Sequence, residues 1–111
     1  LLYAEEYPET LYSLVLRGVF LCRKKDIQWF YQKGASEIFP DQWNDFINEI
    51  PIEEHNDFLT AFHKRIHSKD KKESLIFSKI WSAWEGYCST LLPSDKVVSQ
   101  FSKCSLSLAK I

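Results

Sequence analysis

The sequence predicts a mainly α-helical chain, and three observations point that way. Apolar residues recur at i, i+3, i+4 and i+7, the period of a helix with one buried face. Proline, glycine and capping residues bracket those windows at lengths that suit helices. Only one short stretch reads as a strand, and it has no second strand to pair with. A lone strand among helices implies that its pairing partners lie outside the segment.

That strand candidate is Ser13 to Arg17, Ser-Leu-Val-Leu-Arg, which is short, apolar and partly β-branched. From Asp26 to Gln32 the pattern predicts a short helix carrying Ile27, Phe30 and Tyr31. Trp43, Phe46, Ile47 and Ile50 then define an amphipathic helix opened by Pro40 and stopped by Pro51. Residues Glu53 to His67 put Phe58, Leu59, Phe62 and Ile66 on one face. Asp70, with Glu73 three residues on, reads as a capping box. The helix it opens carries Phe77, Trp81, Trp84 and Cys88 on one stripe and Ile76, Ile80 and Tyr87 beside it. So wide an apolar arc predicts the central helix of the domain. Ser94, after Pro93, caps a last helix bearing Val97, Phe101, Cys104 and Leu108.

A chain of 111 residues is enough for one domain. Its 14 Lys plus Arg balance 15 Asp plus Glu, a net charge of -1, which disfavours a nucleic-acid partner. The charged run Lys69 to Lys72 reads as solvated surface. No apolar run approaches the roughly 18 residues of a membrane span, so no membrane partner is expected. The 3 cysteines, Cys22, Cys88 and Cys104, lie far apart and form no C-x-x-C pair. That argues against a disulfide framework or a zinc finger and suggests a reducing, cytoplasmic setting. The chain has no Met, opens at Leu1 and shows no basic leader, so it reads as cut from something longer.

Glu85 is the only charged residue between Ile80 and Ser94. Its neighbours at i−4, i−3, i+3 and i+4 are Trp81, Ser82, Cys88 and Ser89, none of which can form a local salt bridge. A carboxylate against aromatic rings is costly to desolvate unless donors or a cation meet it. From the residues alone it is either a partly exposed Glu paired with a distant Lys or Arg, or a site for a ligand cation such as a substrate amine. His63 and His67 have the i, i+4 spacing of a metal pair, but Lys64 and Arg65 stand between them and no third ligand is in view. No metal site is therefore expected. The Gly-x-Ser-x-Gly elbow is absent; Gly34-Ala35-Ser36 is half of it, and Ile38 stands where the second Gly should be. No catalytic nucleophile is expected in this segment.

A family resemblance adds to this reading. Leu16-Arg17-Gly18-Val19-Phe20, Arg23-Lys24-Lys25, Trp29-Phe30-Tyr31-Gln32, Gly34-Ala35-Ser36 and Phe39-Pro40 resemble the proline iminopeptidases, serine prolyl aminopeptidases of the α/β-hydrolase superfamily. The similarity continues through Ala61-Phe62-His63-Lys64-Arg65, Trp81-Ser82-Ala83-Trp84-Glu85-Gly86 and Thr90-Leu91-Leu92-Pro93. The resemblance implies that residues 1–19 are a fragment of the hydrolase core, one helix end and one strand, and that residues 20–111 are the helical cap. The family's serine would precede Leu1, and its Asp and His would follow Ile111.

The resemblance also implies an activity, the release of N-terminal proline from peptides, with no cofactor. Glu85 matches the family glutamate that binds the substrate's N-terminal imino nitrogen. Phe20 and Phe30 match the apolar pocket for the pyrrolidine ring; position 30 is often Tyr in relatives, and Phe30 keeps the ring without the hydroxyl. Arg17 matches an arginine near that pocket. A second glutamate of the amine site would be the residue after Ala109-Lys110-Ile111. The rival expectation is a non-catalytic helical interaction module descended from such a lid, binding a partner through Phe30, Trp43, Trp81 and Trp84. The oligomeric state is not legible.

Overall fold

The structure is a computed structural model and describes residues 1–90, 92, 94–96, 99 and 100. The helices among the described residues include α1 (Leu2–Glu6), α2 (Lys24–Tyr31), α3 (Ala35–Ile38), α4 (Pro40–Ile47), α5 (Phe58–Ile66) and α6 (Lys71–Cys88). Short 3-10 turns occupy Pro8–Thr10 and Ile52–Glu54.

The core forms where α4 and α5 pack against the long α6. Phe46 is sandwiched between Phe62 and Trp84, with ring centroids at 4.3 Å and 5.3 Å and interplanar angles of 7° and 24°. Phe46, Phe62 and Trp84 are the largest fully buried side chains. Trp43 closes the cluster against Phe46, Phe58 and Trp84. Such ring pairs add to the gain from removing so much apolar area from water. The rival module reading loses Trp84 as a contact surface. Trp84 is 1% exposed and offers no partner surface, while Phe30, Trp43 and Trp81 are partly buried and packed against the core.

Several sequence expectations shift. Ser13 to Arg17 form no strand; the backbone from 13 to 17 has no regular secondary structure. Leu14, Val15 and Leu16 are exposed there, and a strand without a neighbour leaves its amides and carbonyls to water. No β-strand occurs among the described residues.

The helix expected from Glu53 starts later. Asp57 caps α5 by accepting from the Thr60 amide at 3.1 Å, and 52–54 stay in a 3-10 turn. α4 ends at Ile47, ahead of Pro51. At α6 the Asp70 half of the capping box is made, Lys72 N–H to Asp70 Oδ1 at 2.9 Å. The Asp70 amide donates to Ser68 Oγ at 3.2 Å, which takes the place of Glu73. The last expected helix, on Val97, Phe101, Cys104 and Leu108, lies outside the described residues.

α3 was not foreseen. It is permitted by Gly34 at φ 150°, where a Cβ would stand 2.3 Å from Trp29 Cδ1. No helix among the described residues is long and apolar enough to cross a membrane.

Candidate functional site

The site is built where the last turn of α2 meets the second half of α6. Trp84 is buried, and its indole Nε1 donates to the Phe30 carbonyl at 3.2 Å. That bond satisfies a buried donor and ties α2 to α6. Phe30 and Tyr31 are thereby held over α6. Phe30 lies edge-on to Trp84 at 6.4 Å, and Tyr31 stacks on Trp81 at 4.4 Å and 18°.

Phe20 reaches the site from the segment before α2. Two residues with left-handed backbone, Gly18 (φ 59°) and Cys22 (φ 55°), bracket it. Phe20 then meets Phe30 edge-on at 6.2 Å. Between this segment, α2 and the end of α6 an open cleft of about 770 Å³ is lined by Phe20, Trp29, Phe30, Tyr31, Cys88 and Ser89, among others. Phe20, Trp29, Phe30 and Tyr31 make part of its wall aromatic. Arg23 and Asp26 also line it and neutralise each other through a bidentate pair at 2.8 Å and 3.0 Å.

Glu85 is half-buried beside this wall. Its Oε1 accepts from the Tyr31 hydroxyl at 2.7 Å and from the Trp81 indole Nε1 at 2.9 Å. Among the described residues, Oε2 has no hydrogen-bond partner and no Lys, Arg or His pairs with the carboxylate. Burial, and then the Glu85 carboxylate, push the Tyr31 hydroxyl far above its ordinary value, so it remains a donor. Cys88, one turn after Glu85, is pushed up to about 11, by burial first and Glu85 second. It is a neutral thiol at physiological pH, not a nucleophile.

Of the sequence-predicted residues, Phe20 and Phe30 line one cleft, and Tyr31 links that cleft to Glu85. Arg17 does not join them; it is exposed and makes no hydrogen bond or ion pair among the described residues. The second glutamate expected after Ile111 falls outside the described residues. Sequence reasoning missed Tyr31 and Trp81 as partners of Glu85. Trp81 had a signal, since i−4 on a helix brings its indole within reach. Tyr31 is 54 residues away and had none.

No family model matches this chain. It is 44% identical over 101 residues to a probable proline iminopeptidase of Leptolyngbya boryana, covering 91% of this chain and 32% of that protein. It is 40% identical over 109 residues to the proline iminopeptidase of Xylella fastidiosa, covering 98% and 35%. It is also 40% identical over 114 residues to that of Arabidopsis thaliana, covering 100% and 30%. The chain is a relative of the proline iminopeptidases. It spans about a third of the length of the curated proline iminopeptidases it matches.

In this proline iminopeptidase relative the histidine pair lies at the C-terminal end of α5. His63 and His67 have ring centroids 4.3 Å apart, and His67 Nδ1 is 2.9 Å from the His63 carbonyl oxygen. Among the described residues no three His, Cys, Asp or Glu side chains gather as metal ligands.

Proposed function

We propose that this chain supplies the substrate-recognising cap of a serine prolyl aminopeptidase of the α/β-hydrolase superfamily, which releases N-terminal proline from peptides. Residues 20–111 form the cap, and residues 1–19 belong to the hydrolase core. Serine, aspartate and histidine of the complete enzyme perform the acyl transfer. The cap places the substrate.

One observation carries this reading: beside a cleft walled in part by aromatic rings stands a half-buried carboxylate that, among the described residues, has one oxygen without a partner and no cation paired to it. An N-terminal proline brings a secondary ammonium that loses water on entering a closed site. Glu85 offsets that loss and fixes which end of the peptide enters. Phe20 and Phe30 offer flat apolar faces to the compact pyrrolidine ring. Arg17, in the exposed segment before Phe20, is proposed to approach the pocket in the complete enzyme. Acylating the proline nitrogen removes the charge, so blocked peptides are excluded. The gain is mainly orientation of the scissile carbonyl.

The test is Glu85→Gln in the full-length protein with a proline arylamide. A fall in kcat/KM of about tenfold or more, at least roughly 1.4 kcal/mol, is expected. A change within about twofold would remove the amine-anchor role.

A further inference from the structure

We infer that Tyr31 and Trp81 are positioning residues that hold Glu85 by one oxygen and so decide which oxygen meets the substrate's amine. This rests on the amine-anchor reading of Glu85 and deepens it. A half-buried glutamate side chain beside an open cleft has several rotamers available, and its terminal torsion is broad. Here two donors from different elements converge on Oε1, at 2.7 Å from α2 and 2.9 Å from within α6. Oε2 is left as the acceptor.

Both donors are neutral. They orient the carboxylate without cancelling its charge, whereas a Lys or Arg in either place would compete with the substrate's ammonium. The two rings also brace each other through their 4.4 Å stack, and Tyr31 meets Phe30 edge-on at 4.7 Å. The apolar wall for the ring and the anchor for the nitrogen therefore share one support. Trp81 stands behind the cleft lining, where it meets Glu85 through its indole N–H and Tyr31 through the ring stack.

The test uses the full-length protein and two substrates. One is a proline arylamide; the other is a nitrophenyl ester of cyclopentanecarboxylic acid, which keeps the ring and lacks the nitrogen. Trp81→Phe and Tyr31→Phe each remove one donor and keep an aromatic ring. Each is expected to lower kcat/KM for the proline substrate by about fivefold or more, chiefly through KM, with the ester within about twofold.

Equal losses on both substrates would mean that the rings act only in packing and would overturn the inference. So would wild-type values in both variants. If Glu85→Gln discriminates between the substrates and these two variants do not, the clamp is wrong and the anchor stands. If Glu85→Gln does not discriminate, both fall.

Discussion

At the level of single residues, Glu85 and Trp84 divide the labour on adjacent positions of α6. Glu85 holds a carboxylate beside the cleft, bonded to Tyr31 and Trp81, and Trp84 turns inward and pins the Phe30 carbonyl at 3.2 Å. Trp84→Phe shrinks the largest buried side chain and leaves that carbonyl without its donor. It is expected to cost about 1–3 kcal/mol of stability in the full-length protein, read by denaturant unfolding. Because the same bond holds Phe30 over α6, kcat/KM for proline substrates in the proposed enzyme is expected to fall with it. Wild-type stability would show that the bond contributes nothing net. Glu85 was legible in the sequence because it stands alone among uncharged residues from Ile80 to Ser94. Its setting was only half legible. The periodicity of one helix puts Trp81 next to it, but no local pattern can reveal a hydroxyl arriving from Tyr31 across the fold.

Among the elements, the legible ones are those whose own side chains bury a face. α4, α5 and α6 fall where their apolar periods place them, and Phe46, Phe62, Phe77 and Trp84 are buried as their stripes require. The elements that depart from expectation are governed by groups that periodicity does not weigh. Asp57 moves the start of α5, and Ser68 displaces Glu73 at the cap of α6. Asp57→Ala removes both the Thr60 amide and Thr60 hydroxyl bonds and is expected to cost about 1 kcal/mol, measured by thermal or chemical unfolding. Gly34 is more demanding. It combines φ 150° with the Trp29 ring, so Gly34→Ala is expected to destabilise by more than about 1 kcal/mol and to disturb the α2–α3 turn. A neutral Ala variant would mean that Trp29 moves aside freely. Ser13 to Arg17 marks the opposite limit. Its composition favours a strand, but a strand needs a neighbour, and none is present among the described residues.

Across the whole molecule, packing and charge are distributed unevenly. Residues 1–23 contribute no buried side chain, and among the described residues the buried apolar side chains lie between 35 and 84. The ion pairs lie outside that core. The Arg65 guanidinium bonds Glu54 at 2.6 Å and the Ala61 carbonyl at 3.0 Å, and lies over the Phe77 ring at 5.5 Å. Arg65 holds the Glu54 carboxyl below its ordinary value of 4.5. Arg23 does the same for Asp26, and the Thr60 hydroxyl and amide for Asp57, below the ordinary value of 3.8. A carboxyl lowered by folding contributes stability above its unfolded value and loses it as pH falls through its folded value. The stability difference between wild type and Glu54→Gln in the full-length protein is therefore expected to be constant near neutrality. It should shrink as pH drops below the 4.5 of the free side chain. A difference that persists unchanged in acid would show that the Arg65 bond does not depend on charge.

The most direct measurement is a structure of the full-length protein with a proline boronate bound. The proline nitrogen is expected within about 3 Å of Glu85 Oε2, with Tyr31 and Trp81 still on Oε1 and the ring between Phe20 and Phe30. A proline nitrogen turned away from Glu85, or a ring lodged outside the Phe20 and Phe30 cleft, would contradict the assignment of this cap as the reader of N-terminal proline.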